Sequence, residues 1–225
     1  KVLVRTLPGV DRAALITSLP NINGRFLQID AGANTDCTPL NLVQFALMAE
    51  VFASCLMNIE SPRIGLLSVG GEAGKGNDLT KETYKILSQM PINFVGNVEG
   101  NTIFEGAADI LVSDGFSGNV LLKTSEGLAK LLIHWLKEVL SRNPVRVTGA
   151  ILAKNAFKEL KMYGDASEFG GAPLLGLNGI CIIGHGSSNP KAVRNAIRVA
   201  AECHNLKLNE KIVQRLQECQ PFLQQ

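Results

Sequence analysis

The sequence predicts an α/β fold, and three observations carry that prediction. Short runs of Ile, Leu and Val alternate with helix-length amphipathic segments. The runs show little polar alternation, as expected of parallel strands covered on both faces. Most of the runs end in a loop rich in Gly, Ser, Asn and Asp that opens a helical pattern. The 225 residues are 46% hydrophobic and 19% charged, which excludes intrinsic disorder. That length supports one α/β domain over residues 1–225 with a large core.

Taken in order, the expected strands are Ala14–Leu19, Phe26–Ile29, Ile64–Val69, Ile92–Val95, Ile110–Val112 and Ile180–Ile183. Leu42–Leu56, Leu79–Gln89 and Ala192–Cys203 have the length and apolar spacing of helices lying on a sheet. Asn189 or Ser188 is placed to cap the last of these, with Pro190 at its first position. Residues 121–162 break the alternation. They read as two consecutive helices joined near Pro144, forming a helical hairpin that projects from the sheet. The first carries apolar residues nearly all round, Trp135 among them. The second sets Lys154, Lys158 and Lys161 at i, i+4 and i+7, a basic stripe. A final helical pattern through Leu208, Ile212, Val213 and Leu216 is expected to pack on the edge of the domain.

Composition excludes several classes of function. With 22 Lys and Arg against 20 Asp and Glu, the net charge of +2 gives no general affinity for polyanions. Aromatics at 5% are too few for a base-stacking platform, and nucleic acid is not an expected partner. The five cysteines are scattered and form no C-x-x-C pair, so neither a disulfide framework nor a zinc site is indicated, and a reducing cytoplasm fits. The aspartates are dispersed without ligand spacing. No metal and no cofactor is expected. No uncharged apolar run reaches the roughly 20 residues of a membrane span. The chain opens in mid-pattern on Lys1, and further sequence is expected before it.

The loops carry the chemistry. In open α/β sheets ligands bind at the carboxyl ends of strands, and helix N-termini with unpaired N–H groups attract anions. Gly70–Asp78 looks like a nucleotide loop, yet Gly70 stands one residue too close to Gly74, and Gly76 occupies the place of the Walker hydroxyl. What remains is Lys75 in a glycine-rich turn with Gly74, Gly76 and Asn77, suited to an anion or, more plainly, to solvent. Ser113–Asn119 offers Asp114, Ser117, Gly118 and Asn119 after a buried strand. The plain alternative is a turn with Asn119 as a helix cap. Gly184–Asn189 sets His185 between glycines with Ser187 and Ser188 behind it. It is not a G-x-S-x-G elbow, so a serine hydrolase is not indicated. His185 there suits proton transfer or anion donation.

Taken together, DAGANTDCTPLNLVQFALM, GKGNDLTKETY, INFVGNVEG, SDGFSGNVLLKTSEGLA, SEFGGAPLLGLNG and HGSSNPKAVRNAI resemble the bacterial phosphate acyltransferases of phospholipid synthesis. The resemblance runs from near the start to about Arg198. It implies a three-layer α/β/α sandwich with a mostly parallel sheet, like those of isopropylmalate dehydrogenases and phosphotransacetylases. It also implies transfer of a long-chain acyl group from acyl carrier protein to inorganic phosphate, giving acyl phosphate. By resemblance, members are cytoplasmic homodimers that touch the membrane peripherally through the hairpin, and they carry an N-terminal part with its own glycine-rich loop.

Under that expectation Lys75, Asn119 and His185 are the catalytic candidates. Asn34, Gly74, Gly76, Asn77, Asp114, Ser117, Gly118, Ser187 and Ser188 would line the phosphate and substrate site. Trp135, Lys154, Lys158 and Lys161 would meet the acidic carrier or anionic lipid. A phosphotransacetylase acting on acyl-CoA and a non-catalytic membrane-associated scaffold are the alternatives.

Overall fold

The computed structural model describes residues 4–163, 170–184, 186 and 188–223. Seven strands form one sheet in the order β4-β3-β5-β2-β1-β6-β7. They are β1 (Ala14–Asn21), β2 (Gly24–Ile29), β3 (Ile64–Leu67), β4 (Phe94–Val98), β5 (Ile110–Val112), β6 (Ala172–Leu175) and β7 (Ile182–Ile183). The neighbours β4, β3, β5 and β2 are mutually parallel. β1 runs antiparallel to β2 and β6, and β7 antiparallel to β6. Five of the seven strands therefore point one way, with β1 and β7 reversed.

The sheet differs from a purely parallel expectation for identifiable reasons. β1 and β2 form a hairpin whose register closes at Asn21 and Gly24. Ile22 and Asn23 make the two-residue turn between them, and Gly24 directly after it takes φ of +127°, which favours glycine. β6 (APLL) escapes a hydrophobic-run search because it is four residues long, includes Pro173 and follows two glycines. β4 begins two residues later than Ile92, and only Ile182 and Ile183 of the last expected strand join the sheet.

Three layers result. Helices α1 (Pro39–Met57), α2 (Asp78–Leu87), α6 (Pro190–Asn205) and α7 (Leu208–Glu218) cover one face, where the main core gathers Ile29, Leu42, Phe45, Phe52, Ile64, Val199 and Ile212. On the other face Phe26, Val98, Ile103, Ala108 and Leu111 pack beneath a 3-10 turn at Thr102–Glu105 and beneath Leu121. α7 lies against α1 inside the helical layer, burying Leu208, Ile212 and Leu216, so it belongs to the core rather than to an edge. α1 is capped at both ends. Thr38 and Asn41 form a reciprocal capping box, and Asn58 closes the C-terminus in the left-handed conformation.

The arm consists of α3 (Gly115–Ser141), α4 (Pro144–Leu152) and α5 (Lys154–Tyr163). Pro144 begins α4 with Asn143 as its cap, where the sequence placed the break. The expected second helix is divided at Ala153, whose N–H turns back to the Gly149 carbonyl. Among described side chains of the arm, only Gly115 and Gly118 at its root are buried. Leu128, Leu132, Trp135, Ile151 and Leu160 are all more than half exposed.

Candidate functional site

Because β4, β3, β5 and β2 are parallel neighbours, the loops that follow them share one edge of the sheet. Three of the loops singled out from the sequence gather there: 30–38 after β2, 113–119 after β5 and 68–77 after β3. β7 runs the opposite way, so Gly184 leaves the sheet against that direction. His185 and Ser187 lie outside the described residues, and Ser188 is exposed one residue before the Asn189 cap of α6.

The loop after β2 is organised by Asp30, a fully buried carboxylate. Its Oδ1 accepts from the backbone N–H groups of Leu15, Gly32 and Ala33 at 3.1, 3.1 and 2.9 Å. Its Oδ2 accepts from both the backbone and side-chain nitrogens of Asn34 at 2.8 Å. Asn34 Nδ2 also donates to the Ala13 carbonyl, so the Asn34 amide fixes the loop. The Asn34 carbonyl in turn accepts from Gly115 N–H at 2.7 Å and from the Cys37 thiol. Burial pushes that thiol up to about 11.

The start of α3 sits directly on this loop. Asp114 caps the helix, accepting from Ser117 N–H and from the Ser117 hydroxyl, each at 2.8 Å. Gly118 rests on β2 by backbone contact. A Cβ there would collide with the Asp30 carbonyl and lie 2.6 Å from Ser113 Oγ. Asn119 is exposed in the second turn and is not the cap. A Cβ on Gly32 would stand 3.3 Å from Asn119 Cβ, so the two residues are in contact range. Phe116 and Val120, one helical turn apart and on either side of Asn119 in sequence, are 63% and 51% exposed.

After β3, Asn97 of β4 donates through Nδ2 to the Glu72 carbonyl at 2.8 Å, and Lys75 N–H donates to the same oxygen at 3.0 Å. Gly74 has open space where a Cβ would be. Gly76 has φ of +102°, which requires glycine, and a Cβ there would collide with Thr80 Oγ1. Asn77 is the N-cap of α2, its Oδ1 accepting from Thr80 N–H and hydroxyl. The Lys75 ammonium is exposed and makes no ion pair among the described residues. Lys154 and Lys158 are exposed on α5, far along the chain from this edge. The side chain of Lys161 lies outside the described residues.

Among its described residues the edge presents the Lys75 ammonium, the Asn119 amide and the exposed apolar side chains of Val69, Phe116 and Val120, over a polar base. Its Ser117 hydroxyl donates to Asp114, the cap of its own helix. No described group of three His, Cys, Asp or Glu side chains is gathered for a metal ion. Asp30 and Gln28 are the functional supports that the sequence reading overlooked. An Asp directly after a strand and before Gly-Ala-Asn is the available signal for Asp30. Gln28 gives none, since it stands in an otherwise apolar strand.

Fold and edge together define a phosphotransacetylase-like α/β architecture. A phosphotransacetylase from Streptococcus pyogenes superposes with a TM-score of 0.55 at 21% identity, covering 93% of this chain and 57% of that one. One from Staphylococcus aureus gives 0.50 at 15% identity over 94% and 56%. These likenesses define the fold alone. Residues 1–211 match the family described as "Fatty acid synthesis protein", and the chain belongs to that family. Among its relatives are proteins called "Phosphate acyltransferase". That of Acidobacterium capsulatum is 50% identical over 94% of this chain, and that of Desulfitobacterium hafniense 49% over 93%. The chain spans 63% of the length of each.

Proposed function

We propose that this chain forms the greater part of an acyltransferase that moves a long-chain acyl group from acyl carrier protein to inorganic phosphate. The supporting observation is the strand-end edge, with the free Lys75 ammonium and the Asn119 amide, in a chain about half identical to proteins called phosphate acyltransferase. Phosphate is itself a nucleophile, so the edge has no need of a side chain that becomes acylated. A phosphate oxygen attacks the thioester carbonyl and the C–O bond forms. The tetrahedral oxyanion then collapses, the C–S bond breaks and the carrier thiolate leaves to take a proton from solvent. Lys75 neutralises phosphate, and the Asn119 amide donates to the oxyanion as charge develops. Phe116 and Val120 offer apolar surface to the first carbons of the acyl chain. The loop that follows β7 leaves the sheet the opposite way, so His185, Ser187 and Ser188 are not assigned to this pocket.

The arm supports two further assignments. A monomer rarely leaves so many large apolar side chains exposed on one element, and such patches mark interfaces. We assign the arm to a homodimer contact and to peripheral attachment at the cytoplasmic membrane surface, with Trp135 as an interfacial anchor. Lys154, Lys158 and Lys161 would meet the acidic carrier or anionic lipid.

Acyl-phosphate formation from long-chain acyl carrier protein and phosphate tests the reading, with a chain extended to the length of the curated relatives run alongside. Turnover by the extended chain, reduced at least 100-fold by Lys75→Ala at unchanged melting temperature, is expected. Preference for acyl-CoA would favour the phosphotransacetylase alternative. A folded, dimeric, silent protein that still pellets with liposomes would favour the scaffold.

A further inference from the structure

We infer that Gln28, a residue of strand β2 rather than of any loop, is the positioning residue that sets the reach of the Asn119 amide. The inference rests on the acyl-transfer reading for its kinetic consequences but not for its geometry. Gln28 is 0% exposed, and its Nε2 donates to the Gly118 carbonyl at 2.6 Å. That carbonyl belongs to the planar peptide whose N–H is that of Asn119, so holding the oxygen fixes the direction in which the Asn119 Cα leaves. The contact is possible because Gly118 lacks a Cβ. The place a Cβ would take is hemmed by the Asp30 carbonyl, by Ser113 Oγ at 2.6 Å and by Gln28 Nε2 at 2.9 Å.

Asn119 is held from its other side as well. Its Cβ stands 3.3 Å from the position of a Cβ on Gly32, and Gly32 N–H is tied to Asp30 Oδ1. Strand, loop and helix thus meet at one residue, and the Gln28 bond adds a side-chain tie from β2 to a peptide that the helical ladder of α3 also holds. The Gln28 amide has a single acceptable orientation. Its Oε1 is buried without a hydrogen-bond partner among the described residues, and rotating the amide would set that oxygen against the Gly118 carbonyl, acceptor to acceptor. An apolar side chain of similar length would fill the same space without burying an unpaired acceptor. What the amide adds is aim.

Two variants and a double variant test this in the chain extended to the relatives' length. Gln28→Met keeps the length and loses the bond. Gln28→Asn keeps the amide but withdraws it by one methylene. Each is expected to lower kcat for acyl-phosphate formation about 10- to 100-fold, with KM for phosphate within twofold. Gln28→Met combined with Asn119→Ala should be no slower than Asn119→Ala alone, because both remove the same donor. The side-chain amide resonance of Asn119 in 15N-labelled protein should move in both single variants. Full turnover in Gln28→Met, or losses that multiply in the double variant, would overturn the inference. So would an Asn119 resonance that stays in place in a folded variant. If the parent protein makes no acyl phosphate while that resonance moves, the acyl-transfer reading fails and the positioning role stands.

Discussion

The two longest described helices, α1 and α3, are both rich in apolar side chains and occupy opposite surroundings. α1 buries twelve of its 19 residues against the sheet, α2 and α7. α3 runs for 27 residues and buries only two glycines, both at its root. By length and composition α1 is the one described helix apolar enough to cross a membrane, yet it is two-thirds buried and serves as the core helix. α3 fails that test and leaves its leucines uncovered. Hydropathy therefore reports how much apolar surface a helix carries, not what covers it; the covering partner must be read from the sheet and its loops.

That contrast can be broken most directly by truncating one large side chain on each helix. Phe45→Ala in α1 should lower the unfolding free energy by about 3–5 kcal/mol in urea titration. Leu132→Ala in α3 should cost less than about 0.5 kcal/mol in dilute monomer. A large loss at Leu132 in the monomer would mean that the arm folds back onto the body.

Glycine substitutions sharpen the same difference. Gly118→Ala drives a methyl into the Asp30 carbonyl and should cost about 1–3 kcal/mol by thermal melting. Gly127→Ala, with open space around it in the middle of the same helix, should instead stabilise by about 0.5–1 kcal/mol. Equal signs for the two would abolish the distinction between root and arm.

Ion pairs give the smallest contrast. Burial alone would raise the Asp109 carboxyl, but Arg63 donates to it from its backbone, Nε and Nη2 and holds it below its ordinary 3.8. A depressed carboxylate stabilises the fold above the unfolded value and loses that contribution as pH falls through the lower folded value. Asp109→Asn should therefore cost about 1 kcal/mol at pH 7, since the pair is partly exposed, and progressively less as pH falls through the lowered folded value. Glu138→Gln, in the exposed arm pair with Arg142, should cost less than about 0.5 kcal/mol at pH 7.

Much of the fold was legible in the residues, because apolar runs and caps are local signals. The strands Phe26–Ile29 and Ile110–Val112, the Pro144 break and the Asn189-Pro190 helix start all declared themselves this way. Strand direction did not, since β1 and β7 carry the same run of β-formers whichever way they lie. The placement of the candidate site was legible only in part. Lys75 stands in a loop whose composition marks it, and Asn119 in the second turn of α3, in a segment marked the same way. Asn77 has the composition of a ligand group and the geometry of a cap. Asp114 and Ser117 satisfy each other. Gln28 and Asp30 acquire meaning only when β2 is set beneath α3, a contact between residues 90 positions apart.

That separation bears on how the protein comes into being. β2 pairs with β5 and β3 with β5 only after roughly 80 and 45 residues of intervening chain have been gathered, so loop-closure entropy must be met before either pairing rewards it. The loops at 30–34, 70–77 and 113–119 come into register only with those pairings. The acyl transfer proposed for the extended chain should therefore appear in refolding as a late event, after helical circular dichroism has recovered, and serve as a reporter of completed topology.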